Sequence, residues 1–97
     1  MKMLTVIISR DLGHEVEDII SRMKIDCYVQ LTEAYGISHA CRDTIGENMP
    51  WEASVLMIAG EGEKLEALAE QIKTKVESHT FKPCLRMMLS SADKVWV

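Results

Sequence analysis

The run WEASVLMIA at residues 51–59 decides the fold, because apolar residues occupy both of its alternating faces. A strand that is apolar on both faces belongs near the middle of a sheet, where neighbours cover it. The run MLTVIIS at residues 3–9 has the same character, and its β-branched residues favour a strand. We therefore predict two central strands of one sheet.

Two amphipathic helices are predicted to connect the strands. Apolar residues recur at helical spacing from Leu12 to Met23, and again from Leu65 to Val76. Acidic residues crowd the first half of the earlier segment and basic residues its end, as the helix dipole favours. Gly60 and Gly62 separate the later segment from the strand before it.

Two half-buried strands complete the set of elements. Residues 27–34 and 84–89 alternate between two faces, whereas residues 36–50 contain two glycines and one proline with little periodicity. The order is therefore β-α-β-β-α-β, with a long loop at 36–50. With right-handed crossovers it predicts a single ferredoxin-like domain of the α+β class over residues 1–97, whose antiparallel sheet carries both helices on one face.

The face of the sheet away from the helices is too apolar for water. We assign Cys27, Val29 and Leu31 to the helix side, which leaves Tyr28 and its alternating partners on the other face with apolar residues of the remaining strands. Contiguous exposed apolar area usually marks an interface, so we expect the chain to associate with copies of itself. Arg86 lies on this second face and, if buried, needs a carboxylate from a neighbouring subunit or a bound anion.

Composition and charge exclude several classes of function. The net charge is −4, from 11 basic and 15 acidic residues without a basic cluster, so we expect no nucleic-acid partner. Three cysteines without a C-x-x-C pair indicate free thiols in a reducing compartment. The apolar run at residues 3–8 is too short for a signal-peptide core or a membrane span. We therefore expect a cytoplasmic protein that does not insert into a membrane.

The sequence lacks the common catalytic motifs, including G-x-S-x-G, H-E-x-x-H and the P-loop, and we predict that the chain is not an enzyme. The most site-like cluster is His39 with Cys41, and Asp43 lies close by in sequence. His and Cys are good ligands for divalent metals, but two ligands do not close a site. A metal site and a polar loop with an incidental thiol both remain open.

The segment TEAYGIS at residues 32–38 resembles the end of the second strand in the P-II signalling family, where Thr/Ser-Glu-Val-x-Gly-Phe-Gly leads into the T-loop. The order of elements along the whole chain is also similar to that family and to the related CutA-like trimers. The resemblance implies a homotrimer with its sheets facing inward. It also implies a sensor that binds an adenine nucleotide between subunits and controls a partner, such as a membrane transporter, through a short T-loop at 36–50.

Gly36 matches the family pattern directly, and we predict a ligand-binding set of Gly36, Ile37, Ser38 and Arg86. The family's second glycine is replaced by Ser38, and residues 78–83 contain Pro83 and no glycine. A phosphate cradle needs several backbone N–H groups in close approach, which glycine allows. The ligand is therefore left open between an adenine nucleotide and a divalent metal. The alternative function is a CutA-like metal-binding or metal-tolerance protein that uses His39 and Cys41.

Overall fold

The computed structural model describes residues 1–25, 27–36, 51–80, 84–94 and 96. Its elements follow the predicted β-α-β-β-α-β order, with one short 3-10 turn between the first strand and the first helix. Their bounds are β1 Lys2–Ser9, the 3-10 turn Arg10–Leu12, α1 Gly13–Arg22, β2 Tyr28–Gly36, β3 Trp51–Gly60, α2 Gly62–Glu77 and β4 Leu85–Ser91. None of the helices in these ranges is long and apolar enough to cross a membrane.

The four strands form one antiparallel sheet in the order β2-β3-β1-β4, which confirms the ferredoxin-like α+β prediction. The two most apolar runs are its central strands, as predicted. β1 and β3 pair without interruption from Lys2↔Gly60 to Ser9↔Ala53. The β2–β3 register shifts between Leu31 and Ala34, where the edge strand contains a bulge.

The hydrophobic core lies between the sheet and the two helices. Alternate residues of β1 and β3 point toward the helices, and Val6, Ile8 and Leu56 are completely buried there. The helices contribute the apolar stripes that the sequence predicts, and together the elements form one cluster: Leu4, Val6, Ile8, Leu12, Val16, Ile19, Ile20, Leu56, Ile58, Leu65, Leu68, Ile72 and Val76. Both helices therefore cover the same face.

The predicted orientation of β2 is wrong. Val29 pairs with Met57 and Leu31 pairs with Val55, and these β3 residues lie on the face away from the helices. Val29 and Leu31 are accordingly 56% and 51% exposed. The alternation of a strand establishes its period, but not which of its two faces meets the helices, and an edge strand has little further signal.

The face opposite the helices is called the open face below. Among the residues that strand pairing places on this face, Arg86 is charged and most of the others are apolar: Met3, Thr5, Ile7, Val29, Leu31, Val55, Met57, Arg86 and Met88. The correction to β2 makes this face more apolar than expected, because two aliphatic side chains replace the predicted tyrosine and glutamine. The reason for expecting self-association is therefore strengthened.

Candidate functional site

Four strand termini meet at one end of the sheet, which is called the loop end below. β1 and β2 finish here at Ser9 and Gly36, and β3 and β4 begin here at Trp51 and Leu85. Gly36 and Trp51 are cross-strand partners, so the two ends of the predicted loop are held side by side. This pair, which borders residues 37–50, is called the loop base below.

The indole of Trp51 lies directly against Gly36. A Cβ atom built on Gly36 would lie 2.6 Å from both Cζ2 and Nε1 of the indole and would also overlap Cε2. Carbon atoms in ordinary contact are about 3.5–4.0 Å apart, so no side chain fits at this position while the ring is in place. The glycine that matches the P-II pattern is therefore needed here for close packing.

A second, smaller cluster of buried side chains surrounds that contact. Trp51, Ala53 and Cys84 form it, with Ile7 and Ala34 packed alongside. The Cys84 N–H donates to Ser9 Oγ at 3.0 Å, and the Ser9 N–H donates to the Cys84 carbonyl at 3.0 Å. These two hydrogen bonds fasten the start of β4 to the end of β1.

The state of the cysteines differs from the prediction. Cys84 is disulfide-bonded, whereas Cys27 is a free and exposed thiol. The expectation of free thiols is therefore wrong for Cys84. The sequence signal was misleading because an odd number of cysteines without a C-x-x-C pair does not exclude a bridge between distant positions.

Arg10 is the most highly connected polar residue at the loop end. It belongs to the 3-10 turn that follows β1, and its guanidinium reaches the termini of both β2 and β3. Nη2 donates to the Ala34 carbonyl at 3.2 Å, Nη1 lies 3.3 Å from Glu52 Oε1, and Cζ lies 5.5 Å from the centre of the Tyr35 ring. Arg10 thus links the strand that enters the loop to the strand that leaves it.

Two buried N–H donors at the loop end lack a hydrogen-bond acceptor among the described residues: Arg10 Nε and Trp51 Nε1. The indole is 7% exposed, so water does not reach it freely. Buried polar groups are nearly always hydrogen-bonded, and leaving one unsatisfied costs about 1–3 kcal/mol. The two donors do not face one acceptor, because Trp51 and Glu52, the partner of Arg10, are consecutive residues of β3 and point to opposite faces of the sheet.

The predicted ligand-binding residues are only partly located. Gly36 is described, whereas Ile37 and Ser38 lie outside the described residues. Arg86 is exposed on the open face of β4, and its Nη1 donates to the carbonyl of Leu85 at 3.5 Å. Because β2 and β4 are opposite edges of the sheet, Gly36 and Arg86 are separated by three strand spacings of about 4.8 Å and by four residues of about 3.3 Å along the strands, or about 20 Å in all. One small ligand can contact both only if they come from different copies of the chain.

The predicted metal ligands His39 and Cys41 also lie outside the described residues. Within the ranges that the structure describes, no three His, Cys, Asp or Glu side chains converge on a point where they could hold a metal ion. The metal hypothesis therefore stays a prediction about the loop.

An ion pair joins the two helices near the segment that leads into β4. His79 Nε2 lies 2.7 Å from Glu15 Oε2, and both side chains are about one-third exposed. The pair connects the start of α1 with the residues after α2.

Sequence reasoning missed Arg10 and Trp51. Arg10 follows a strand and precedes a helix, and a single arginine in such a place is usually a solvated surface residue. The contacts that set it apart come from β2 and β3, which are more than twenty residues away in sequence. The position of Trp51 beside a strand start was a usable signal, but its glycine partner was not visible from spacing.

The comparisons with known proteins agree on the fold alone. No protein-family model matches the chain, and no curated protein does. Among solved structures, the chain is similar to CPII, a nitrogen regulatory P-II-like protein from Thiomonas intermedia bound to ADP, AMP and bicarbonate, with a TM-score of 0.63 and 14% sequence identity. The match covers 96% of this chain and 88% of that chain. The chain therefore has the fold of a P-II-like protein.

Proposed function

We propose that this protein is a P-II-like regulatory protein rather than an enzyme. It assembles as a homotrimer with the open faces inward, binds a small ligand in clefts between subunits, and controls a partner, such as a membrane transporter, through loop 36–50. The observation that carries the proposal is the pairing of an unusually apolar open face with a fold similar to that of a P-II-like protein over nearly the whole chain.

The open face supports the trimer. Val29, Leu31 and Met88 are each more than half exposed, and they belong to the two edge strands on either side of the sheet. An apolar surface spread over four strands is unusual on a soluble monomer and is typical of an interface. Closed cyclic symmetry would bury it without creating a second open surface.

The loop end supports ligand binding between subunits. Gly36 and Arg86 lie on opposite edges of one sheet, so they meet only where two copies adjoin. The guanidinium of Arg10, whose Nε has no acceptor among the described residues, lies at the loop end beside Glu52. The similar protein from Thiomonas intermedia is bound to ADP, AMP and bicarbonate, and these are the ligands to test first.

The proposal is tested in two measurements on the same preparation. Light scattering should give the mass of a trimer, and calorimetry with ADP, AMP and bicarbonate should show heat for at least one of them. A monomer that binds none of the three would overturn the proposal. Titration with Zn²⁺ is the additional arm: saturable zinc binding that disappears in His39→Ala, without nucleotide or bicarbonate binding, would favour the CutA-like alternative.

A further inference from the structure

The guanidinium of Arg10 is positioned by partners that hold it only weakly. A guanidinium has five N–H donors in a rigid planar fork. The structure supplies acceptors for Nη1 and Nη2 at 3.3 and 3.2 Å, both longer than the 2.7–2.9 Å usual for charge-assisted hydrogen bonds. Nε is buried and has no acceptor in the described part of the chain. The guanidinium is therefore held in one position, while some of its N–H donors have no acceptor among the described residues.

Glu52 is a replaceable partner for this arginine. Its side chain is 61% exposed, so its carboxylate can turn into water at little cost. Exposed ion pairs contribute about 0.2–1 kcal/mol, far less than a bidentate pair with a well-placed anion. A competing oxyanion therefore has only a small interaction to displace.

Resting on the proposed function, we propose that Arg10 recognises the oxyanion of the ligand, and that this anion replaces Glu52 on the guanidinium. The ligand class is a small planar oxyanion, bicarbonate or a carboxylate, because two coplanar oxygens match the guanidinium fork.

Replacing Glu52 by the ligand would affect the loop directly, because the residues involved lie close to it along the chain. Glu52 is the second residue of β3, and Ala34 lies two residues before the end of β2, so both partners of Arg10 are in the strands that border the loop. Releasing Glu52 removes one of the contacts that fasten β3 to the 3-10 turn. The base of the loop then has two arrangements, one with Glu52 on Arg10 and one with the ligand on Arg10. A ligand that prefers the second arrangement shifts their populations.

The experiment compares bicarbonate affinity between variants at constant pH and ionic strength. Isothermal titration calorimetry measures the affinity directly and needs no reporter side chain. Arg10→Gln should weaken bicarbonate binding roughly ten- to hundredfold, because it removes hydrogen bonds from a charged donor. Glu52→Gln should tighten it about two- to fivefold, because the competing carboxylate is gone. Arg22→Gln, an exposed change of the same charge on α1, should leave it unchanged.

The inference is overturned if Arg10→Gln binds bicarbonate as the wild type does, if Glu52→Gln is no tighter, or if chloride competes as well as acetate does. Should Arg10→Gln fail to fold, as shown by circular dichroism, Glu52→Gln still decides because its side chain is mostly solvated. If the trimer binds ADP and both variants bind bicarbonate with the wild-type affinity, this inference is rejected and the proposed function stands. A monomer without affinity for either ligand would reject both.

Discussion

Substituting Gly36 by alanine should destabilise the protein through one contact. The new Cβ would lie 2.6 Å from Cζ2 and Nε1 of Trp51, so the ring or the strand must move by roughly 1 Å to restore ordinary contact. Overpacking of this kind costs about 1–3 kcal/mol. Alanine recovers about 0.4–1 kcal/mol because it restricts the unfolded chain, which leaves a net loss of about 1–2 kcal/mol.

The assay is urea or thermal unfolding at one fixed protein concentration, because an oligomer's apparent stability depends on concentration. For a chain of this size the expected loss lowers Tm by roughly 5–15 °C. Gly13→Ala is the matched control. A Cβ on Gly13 would meet its nearest atom, Ser54 Oγ, at 3.5 Å, which is ordinary contact, so that variant should be as stable as the wild type or slightly more stable.

A double variant identifies the cause. Trp51→Leu removes the ring, and although it creates a cavity of its own, it leaves nothing for the new methyl group to strike. In that background Gly36→Ala should be neutral or stabilising, so the coupling energy equals the overpacking cost of about 1–3 kcal/mol. Equal losses in both backgrounds, or no loss in the wild type, would refute the packing argument.

Three further predictions concern other parts of the molecule. Val29→Glu places a charge in the open face and should yield a folded monomer by light scattering. Lys73→Glu, on the exposed side of α2, is the control and should keep the assembly. A Val29→Glu protein of unchanged mass would contradict the interface. His79→Ala should lower the free energy of unfolding by about 0.5 kcal/mol in a urea melt, because it removes a partly exposed pair with Glu15. Alkylation without reductant should label Cys27 and leave Cys84 unlabelled until a reductant is added, as read by peptide mass spectrometry, and labelling of Cys84 beforehand would count against the disulfide.

The elements and the class of fold followed from local patterns. The apolar stripe from Leu12 to Ile20 is buried along the 3-10 turn and α1, and the runs at residues 3–9 and 51–59 form the central strands. Such patterns are readable because helix and strand periods are properties of the backbone, and each predicted stripe needed only one surface to pack against. The glycine at the loop base was likewise recognisable from its sequence neighbours.

The composition of the site did not follow from the sequence. Arg10, Glu52 and Ala34 are far apart along the chain. They meet because the antiparallel register brings the end of β1, the end of β2 and the start of β3 together at the loop end. The orientation of Val29 and Leu31 was equally undetermined, since alternation is the same whichever face is inward. Local periodicity thus determined the elements and their order. Only strand pairing in three dimensions decided which face stays open and which side chains share the loop end.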